Sequence, residues 1–597
     1  MKTTTRRNTD GTAVRYLHLA HNEWDPTAGR SVPKILHSFG REDHLDRSAI
    51  TRLVTSLSKL LDPADALAAT AASELAFVES RPYGGAYVLD ALWRRLHLDT
   101  IVGKLLQGPR GRPRDPAAER VLFALVANRA LAPSSKLAAA DWVTHDVHLP
   151  GLPECTDDAC YRAMDWLHQV TDTLEKEVFW SVATLLDLEV DLLFFDTTST
   201  YFELDEPDEP LARDEHGRVR DTDPPSHDGD GDGDGDGDGK MAGFRTYGKS
   251  KDHRPDLPQV VIGMAVTRTG IPVRVWCWPG NTGDSALIRQ VKSDMRDWTL
   301  TRIVWVADRG FASEANRRYL RSGDHHYIIG EKLRSGSAEA TAALSRQGRY
   351  QHVADNLRVK EVRISDHERF VICHNPDAAE RDAATRTRML AHLDEVIAGS
   401  DTLTATKRAE LRGVISTKPG LNRYLRVTGT GRLRIDAKTI KIETNLDGKY
   451  LLRCSDPHLS AEDIAVGYKQ LLEVERGWRD MKQVIDLRPV YHRLEERIRA
   501  HVTLCWLALL LVRIIETSTD KTWPAIRSEL QRLHVGTFTG PAGMFRQRTE
   551  LTKPVRDLLA KLQLTTPKPI IELATAGPAT FEGCVTQSGH ATHRAQR

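Results

Sequence analysis

Val190-Asp-Leu-Leu-Phe-Phe-Asp196 is an apolar run that ends on an acid. A second run, Ile303-Val-Trp-Val-Ala-Asp308, ends the same way. Residues 189–204 have almost no polar interruption, which predicts a strand covered on both faces. A third acid, Glu475, lies in Tyr468-Lys-Gln-Leu-Leu-Glu-Val-Glu475, within a predicted helix. Two carboxylates at the ends of buried strands and a third on a helix can hold a pair of divalent cations. Such a pair activates water and stabilises the leaving oxygen in phosphodiester chemistry.

Around the two runs the pattern is α/β. Gln259–Thr267 and Ile271–Trp278 flank Thr269-Gly270, a hairpin signal. A helix over roughly 283–297 follows, then the strand 302–307 that delivers Asp308. Strand, hairpin, helix, strand is the order of a mixed sheet with helical cover. His326-Tyr-Ile-Ile-Gly330 and Lys449-Tyr-Leu-Leu-Arg453 are further strands, and Ser460-Ala-Glu-Asp463 is a capping box opening a helix.

Outward from this core, residues 1–45 predict a small N-terminal β unit. Residues 46–188 are helical in pattern, with leucines and tryptophans at three- and four-residue spacing over Ala117–Ala130, Ser135–Val143 and Asp158–Leu186. The first part of the core spans 189–345. It contains a Pro- and Asp-rich loop, 205–240, with a repeated Asp-Gly tract that cannot bury a core and reads as a disordered surface insertion. A calcium loop would need a distant Glu that the tract lacks. Residues 346–440 change to short alternating strands, Val359–Ile364 and Arg369–His374 among them, interrupted by one charged helix at about 377–398. The helical part of the core, 441–520, carries the third acid. A C-terminal region, 521–597, ends in a frayed tail. The apolar stretch Thr503–Val512 is too short to span a bilayer and reads as a buried helix.

On a helical wheel at about 100° per residue, Tyr468, Glu475, Arg479 and Lys482 share one stripe. Val474, Trp478, Met481 and Ile485 form the core-facing side beside it, and Glu473 and Asp480 point away. Glu475 thus borders the buried face, where it can reach a site at the sheet edge.

The 597 residues suggest roughly three or four domains. A formal net charge of +1 does not by itself announce a nucleic-acid partner, so a DNA-binding face requires local segregation of the 83 Lys and Arg from the 82 Asp and Glu. Seven scattered cysteines form no C-x-x-C pair, which argues against a zinc ribbon or a disulfide framework and predicts free thiols in a reducing cytosol. The N-terminal residues lack the apolar core of a signal peptide. The basic loop Gly108–Pro116 offers Arg110, Arg112 and Arg114 to phosphates or simply to solvent.

Several segments together resemble the DDE transposases of the insertion-sequence-4 superfamily, and most of all its insertion-sequence-1634 branch. They are Phe195-Asp196-Thr-Thr-Ser-Thr-Tyr-Phe-Glu203, Tyr247-Gly-Lys-Ser-Lys-Asp252, Arg254-Pro-Asp-Leu-Pro-Gln259 and Pro279-Gly-Asn281-Thr-Gly-Asp284. Ala307-Asp308-Arg309-Gly-Phe311, Tyr468 through Lys482, Leu487-Arg-Pro-Val-Tyr-His492 and Arg497-Ile-Arg-Ala-His501 continue the likeness in order. The superfamily signature of Tyr, Arg, Glu and Lys reads here as Tyr468, Leu471, Glu475 and Lys482, so the Arg position is a departure. Arg476 and Arg479 are the basic residues nearest to take its place. The resemblance implies an RNase H-like mixed-sheet catalytic core, preceded by a helical domain, with a largely β insertion before the final Glu. It also implies Asp196, Asp308 and Glu475 as the catalytic triad.

The expected chemistry is DNA cleavage at transposon ends followed by in-line strand transfer, with Mg²⁺, or Mn²⁺ in its place, held by the three acids as hard oxygen ligands. Tyr468, Lys482, Arg479, Lys249, Lys251, Arg254 and Arg309 are the candidate DNA contacts. Asn281 and Asp284 read as turn residues, and His492 and His501 as structural histidines. Residues 46–188 are the candidate for end recognition, since helices enter the major groove. The partner is double-stranded DNA, with a homodimer implied by the family, no membrane, and a cytoplasmic setting. An RNase H-like nuclease that cuts without joining, or an inactive transposase-derived DNA-binding protein, would share much of this sequence.

Overall fold

A computed structural model describes residues 2–575, apart from 8–11, 28, 47, 49, 51–74, 108–114, 116, 189, 205, 215, 216, 220–240, 299, 301, 335, 366, 367, 541 and 542. The Asp-Gly tract, Arg110, Arg112, Arg114 and the C-terminal tail with Cys584 lie outside the described residues. The six described cysteines are free thiols, as the sequence predicts.

The chain divides into two compact units. The smaller comprises residues 1–80, 536–548 and 568–597. It contains an antiparallel sheet of Lys2–Arg7, Ala13–Asp25 and Arg30–Arg41. Gly543–Arg548 and Ile570–Thr575 form a second antiparallel pair there.

The larger unit, residues 81–535 and 549–567, contains the acids. It is a mixed α/β structure built on one large mixed sheet. In chain order its principal elements are α1 (Asp157–Leu186), β1 (Leu192–Tyr201), β2 (Gln259–Val266), β3 (Pro272–Pro279) and α2 (Asp284–Asp294). Next come β4 (Val304–Ala307), β5 (His326–Glu331), β6 (Gln351–Ala354), β7 (Leu357–Ser365), β8 (Glu368–His374) and β9 (Lys449–Cys454). The helices α3 (Ala461–Lys469), α4 (Leu472–Gln483) and α5 (Glu495–Thr519) complete the set. The nine strands run in the order β6-β7-β8-β9-β5-β4-β1-β2-β3. β4 is parallel to both β1 and β5, and the other pairings are antiparallel.

Successive residues of a strand face opposite sides of the sheet. On β1, Leu193 and Phe195 join Trp276, Ile288, Trp305 and Phe311 in one buried layer under α2. Asp196 and Thr198 therefore face the other side, where α3 and α4 lie. Asp196 thus lies in the middle of β1 and not at its end, as the apolar run had suggested, and the alternation turns it away from the apolar layer under α2.

α5 is apolar all round, and a helix of that kind must be covered on every side. It is long and apolar enough to cross a membrane by length and composition, yet it is buried inside this unit. It packs against α1, the helix Ala118–Leu131 and β3. The helices between Gly84 and Leu186 thus share one compact unit with the sheet. The buried Arg513 on α5 pairs with Glu516 at 2.9 Å and with Glu473 of α4 at 2.8 Å.

Two local differences from the sequence reading matter. Residues 346–440, expected to be largely β with one charged helix, contain that helix as Pro376–Ile397 but also a second one, Ala405–Ser416, and β6, β7 and β8 extend the main sheet. The extension occurs because β9 returns between β8 and β5 and pairs with both. The expected single helix from Ser460 onward is broken at Gln470 and Leu471. There Leu471 N bonds Tyr468 O at 3.0 Å and Glu473 N bonds Gln470 O at 2.9 Å, a tighter 3₁₀ pattern.

Candidate active site

The parallel register of β1 and β4 pairs Phe195 with Ala307, so the next step sets Asp196 beside Asp308. β5 continues the row. Ala307 pairs with Ile329, which brings Gly330 level with Asp308 on its other side. Adjacent strands lie about 4.8 Å apart, so two acids and a glycine occupy neighbouring places across three parallel strands.

Asp196 is half-buried. Burial pushes its carboxyl up to about 6, and the nearby Asp308 and Asp284 add to the rise. Lys251 and the Thr197 amide pull the other way. Asp308 is exposed and caps the short helical turn Arg309–Phe311 by accepting from the Arg309 amide at 2.6 Å.

Tyr468, near the end of α3, donates its hydroxyl to Asp308 Oδ1 at 3.4 Å. The ring stacks near Tyr450, with centroids 6.2 Å apart. The hydroxyl lies so close over Gly330 that a Cβ there would collide with it. Burial raises the Tyr468 phenol, and the negative charges of Asp308 and Glu475 raise it further. Glu475 is exposed on α4 and makes itself felt at the same hydroxyl. α4 packs on β1 and β2, with Val474, Trp478 and Met481 buried, as the wheel predicts. Gly477 lets the helix approach Met264, the residue paired with Asp196 across β1 and β2.

Among the described residues, no group of three or more His, Cys, Asp or Glu side chains is gathered closely enough to hold a metal ion. The donor chemistry of Asp196 and Asp308 fits a hard divalent cation, because both are carboxylates on adjoining strands. Glu475 joins Asp196 and Asp308 in no such group in this structure.

The expected DNA contacts fall into two groups. Arg309, next to Asp308 in the chain, Arg479, one turn beyond Glu475 on α4, and Lys249 are exposed, and none makes an ion pair among the described residues. The others are engaged within the protein. Lys482 Nζ bonds Thr198 Oγ1 at 2.8 Å and Asp252 Oδ1 at 2.8 Å. Lys251 Nζ bonds the Thr197 carbonyl at 2.8 Å and its hydroxyl, and pairs with Asp284 at 3.2 Å. Arg254 pairs with Asp256 at 2.8 Å and lies over the Tyr201 ring. Glu473 and Asp480 turn from the site toward α5, where Glu473 meets Arg513 and Asp480 lies near Glu516.

Leu471, at the departed Arg position, is buried at the junction of α3 and α4. Arg476 is held by Glu516 at 3.3 Å, which leaves Arg479 as the open basic residue of that helix. Asp284 opens α2 and accepts from Thr197 Oγ1 at 2.9 Å, a structural role like the one its sequence suggests. His492 and His501 are buried against each other, and burial holds both below the ordinary histidine range. Gly330 ends the strand segment His326–Gly330 and Arg488 stands in the segment Leu487–His492, but neither is a candidate site residue in the sequence reading. Asp252 stands in a quoted motif, but its partners Lys482 and Arg488 come from a segment more than two hundred residues away.

Residues 233–511 match the family described as the transposase DDE domain. The match contains Asp308, Tyr468, Glu475 and Lys482, and it begins after Asp196. No curated protein matches the chain. Among solved structures, one similar chain is the piggyBac transposase in a cryo-EM structure of its synaptic complex with hairpin DNA. It shares 11% identity, covers 75% of this chain and 77% of that one, and superposes with a TM-score of 0.32. Residues 233–511, a little under half of the chain, are thus similar to a transposase DDE domain, and the match supports a DDE transposase, an enzyme of DNA transposition.

Proposed function

We propose that this DDE transposase cleaves DNA at the ends of an insertion sequence and transfers the freed strand into target DNA, with Asp196, Asp308 and Glu475 as its catalytic acids. The observation that carries the reading is the adjoining placement of Asp196 and Asp308 on parallel strands, with the Tyr468 hydroxyl on Asp308. We read the sheet and its helices as an RNase H-like core of the insertion-sequence-4 superfamily, insertion-sequence-1634 branch.

Asp196 and Asp308 would hold divalent cations, Mg²⁺ or Mn²⁺, and Glu475 would complete the set when DNA draws α4 inward. Bound there, such cations supply activation of water and charge neutralisation at the leaving 3′ oxygen. The protein's own part is orientation. Tyr468 fixes the Asp308 carboxylate, and the exposed Arg309, Arg479 and Lys249 receive phosphates around the cleavage point. The helices between Gly84 and Leu186 would read the ends, and two copies of the chain would hold two ends in a cytoplasmic setting.

The test is incubation of purified protein with end DNA and Mg²⁺, scoring cut and joined products separately. Asp196→Asn, Asp308→Asn and Glu475→Gln should each lose both products while still binding the ends. Parent-like cutting by all three would sink the assignment, and cutting without joining would make the protein a nuclease.

A further inference from the structure

The loop Gly248–Asp252 grips β1 from both faces. On one face, Lys251 bonds Thr197 and pairs with Asp284 at the start of α2. On the other, Asp252 binds Lys482 at 2.8 Å, and Lys482 in turn bonds Thr198. Asp252 also pairs with Arg488 at 3.3 Å, just beyond α4. Arg488 lies over the ring of Tyr201, the last residue of β1.

This arrangement matters for Glu475. α4 is held at its first turn by Glu473 on Arg513 and at its last turn by Lys482 on Asp252. Between those ends its contacts with the sheet are apolar, through Val474, Trp478 and Met481. Apolar packing is non-directional, so it fixes how close the helix lies more firmly than how far it slides or turns. The ion pairs supply the directional restraint. Lys482 is two turns beyond Glu475 on nearly the same side of the helix, so a turn of the helix at Lys482 carries Glu475 with it. Asp252 and Lys482 have side chains only 13% and 14% exposed, so solvent screens the pair weakly and loss of one partner strands the other.

We propose that Asp252 is a positioning residue of the active site: through Lys482 and Arg488 it locks the end of α4 to the strand carrying Asp196, and so sets the place of Glu475. The proposal rests on the catalytic reading given above.

The experiment compares the full-length parent with Asp252→Asn and Asp252→Glu by Mg²⁺ titration of end cleavage, end-DNA binding, and hydrogen exchange over 472–483. Misplacement of a catalytic group by about 1 Å can cost about 100-fold in rate. Asp252→Asn should therefore slow cleavage by about 10–100-fold, raise the half-saturating Mg²⁺, leave DNA binding within about twofold, and speed exchange in α4. Asp252→Glu, which keeps the charge, should restore part of each. A variant with the parent's Mg²⁺ curve overturns the proposal, even if its melting temperature falls. If Asp252→Asn does not fold, Asp252→Glu decides alone: a raised Mg²⁺ requirement supports the proposal and an unchanged one overturns it. If the parent itself shows no metal-dependent cleavage, the catalytic reading fails, and unaltered exchange in α4 would separately refute the lock.

Discussion

The Tyr468 hydroxyl donates to Asp308 across 3.4 Å, and it can do so because residue 330 has no side chain beneath it. A tyrosine on a helix and a glycine on a strand together orient an acid on a third element. Tyr468→Phe should leave stability within about 1 kcal/mol, the usual worth of one hydrogen bond, while lowering cleavage. Gly330→Ala should cost more activity, because its Cβ displaces the whole ring end. The double variant should lose less than the sum of the two single losses, as expected for residues in contact. Additive losses in a double-mutant cycle would show that the two do not act through each other.

Cation uptake at Asp196 should depend on pH. Burial pushes its carboxyl up to about 6, so it is increasingly protonated as pH falls through that value. Only the carboxylate is a ligand, and a bound proton competes with the cation. The half-saturating Mg²⁺ for cleavage should rise by up to about tenfold per pH unit below 6. A requirement that stays flat from pH 7.5 to pH 5 would contradict this.

Glu175 on α1 makes a separate prediction about stability. It is buried beside Arg274, 3.0 Å away, and one of its oxygens lacks a hydrogen-bond partner. Burial pushes its carboxyl up to about 8 from 4.5, with Arg274 opposing the rise. A folded value above the unfolded one means that its stabilising contribution is full below pH 4.5 and is lost as pH rises through 8. The denaturant midpoint of the parent should therefore fall relative to that of Glu175→Gln between pH 4.5 and pH 8.5. The difference is on the order of a few kcal/mol at most. Parallel curves for the two proteins would contradict the assignment.

The capping box at Ser460 should also be measurable. Its hydroxyl accepts from the Asp463 amide at 3.0 Å, and the Asp463 carboxylate accepts from the Ser460 amide at 3.3 Å. Ser460→Ala should cost about 1 kcal/mol, read as a lowered unfolding midpoint. Because α3 also carries Tyr468, cleavage should fall modestly as well. An unchanged midpoint would mean that water replaces the cap.

Much of the frame was legible because short-range physics writes it into the chain. Unbroken apolar runs identify β1 and β4, the Thr269-Gly270 turn separates β2 from β3, and Ser460 and Asp463 mark where α3 starts. The apolar positions of α4 gave its buried side correctly. The wheel missed the break at Gln470, because a few i→i−3 bonds leave no change in the hydrophobic pattern. The strands of 346–440 were visible, whereas their union with the main sheet depends on β9, more than seventy residues after β8. Lys251 and Lys482 had the look of phosphate ligands. Their acid partners in the fold, Asp284 and Asp252, turned them inward.

By itself the sequence determined most of the strands and helices of the core, and which acids they carry. Periodicity, turns and caps act over a few residues, so they can be read along the chain. The tertiary structure alone decided that Asp196, Asp308 and Gly330 stand in one row, and which charges face the site and which hold it together. Strand order and ion-pair choice are settled by contacts between segments far apart in the chain, where many pairings would satisfy the local pattern and burial selects one.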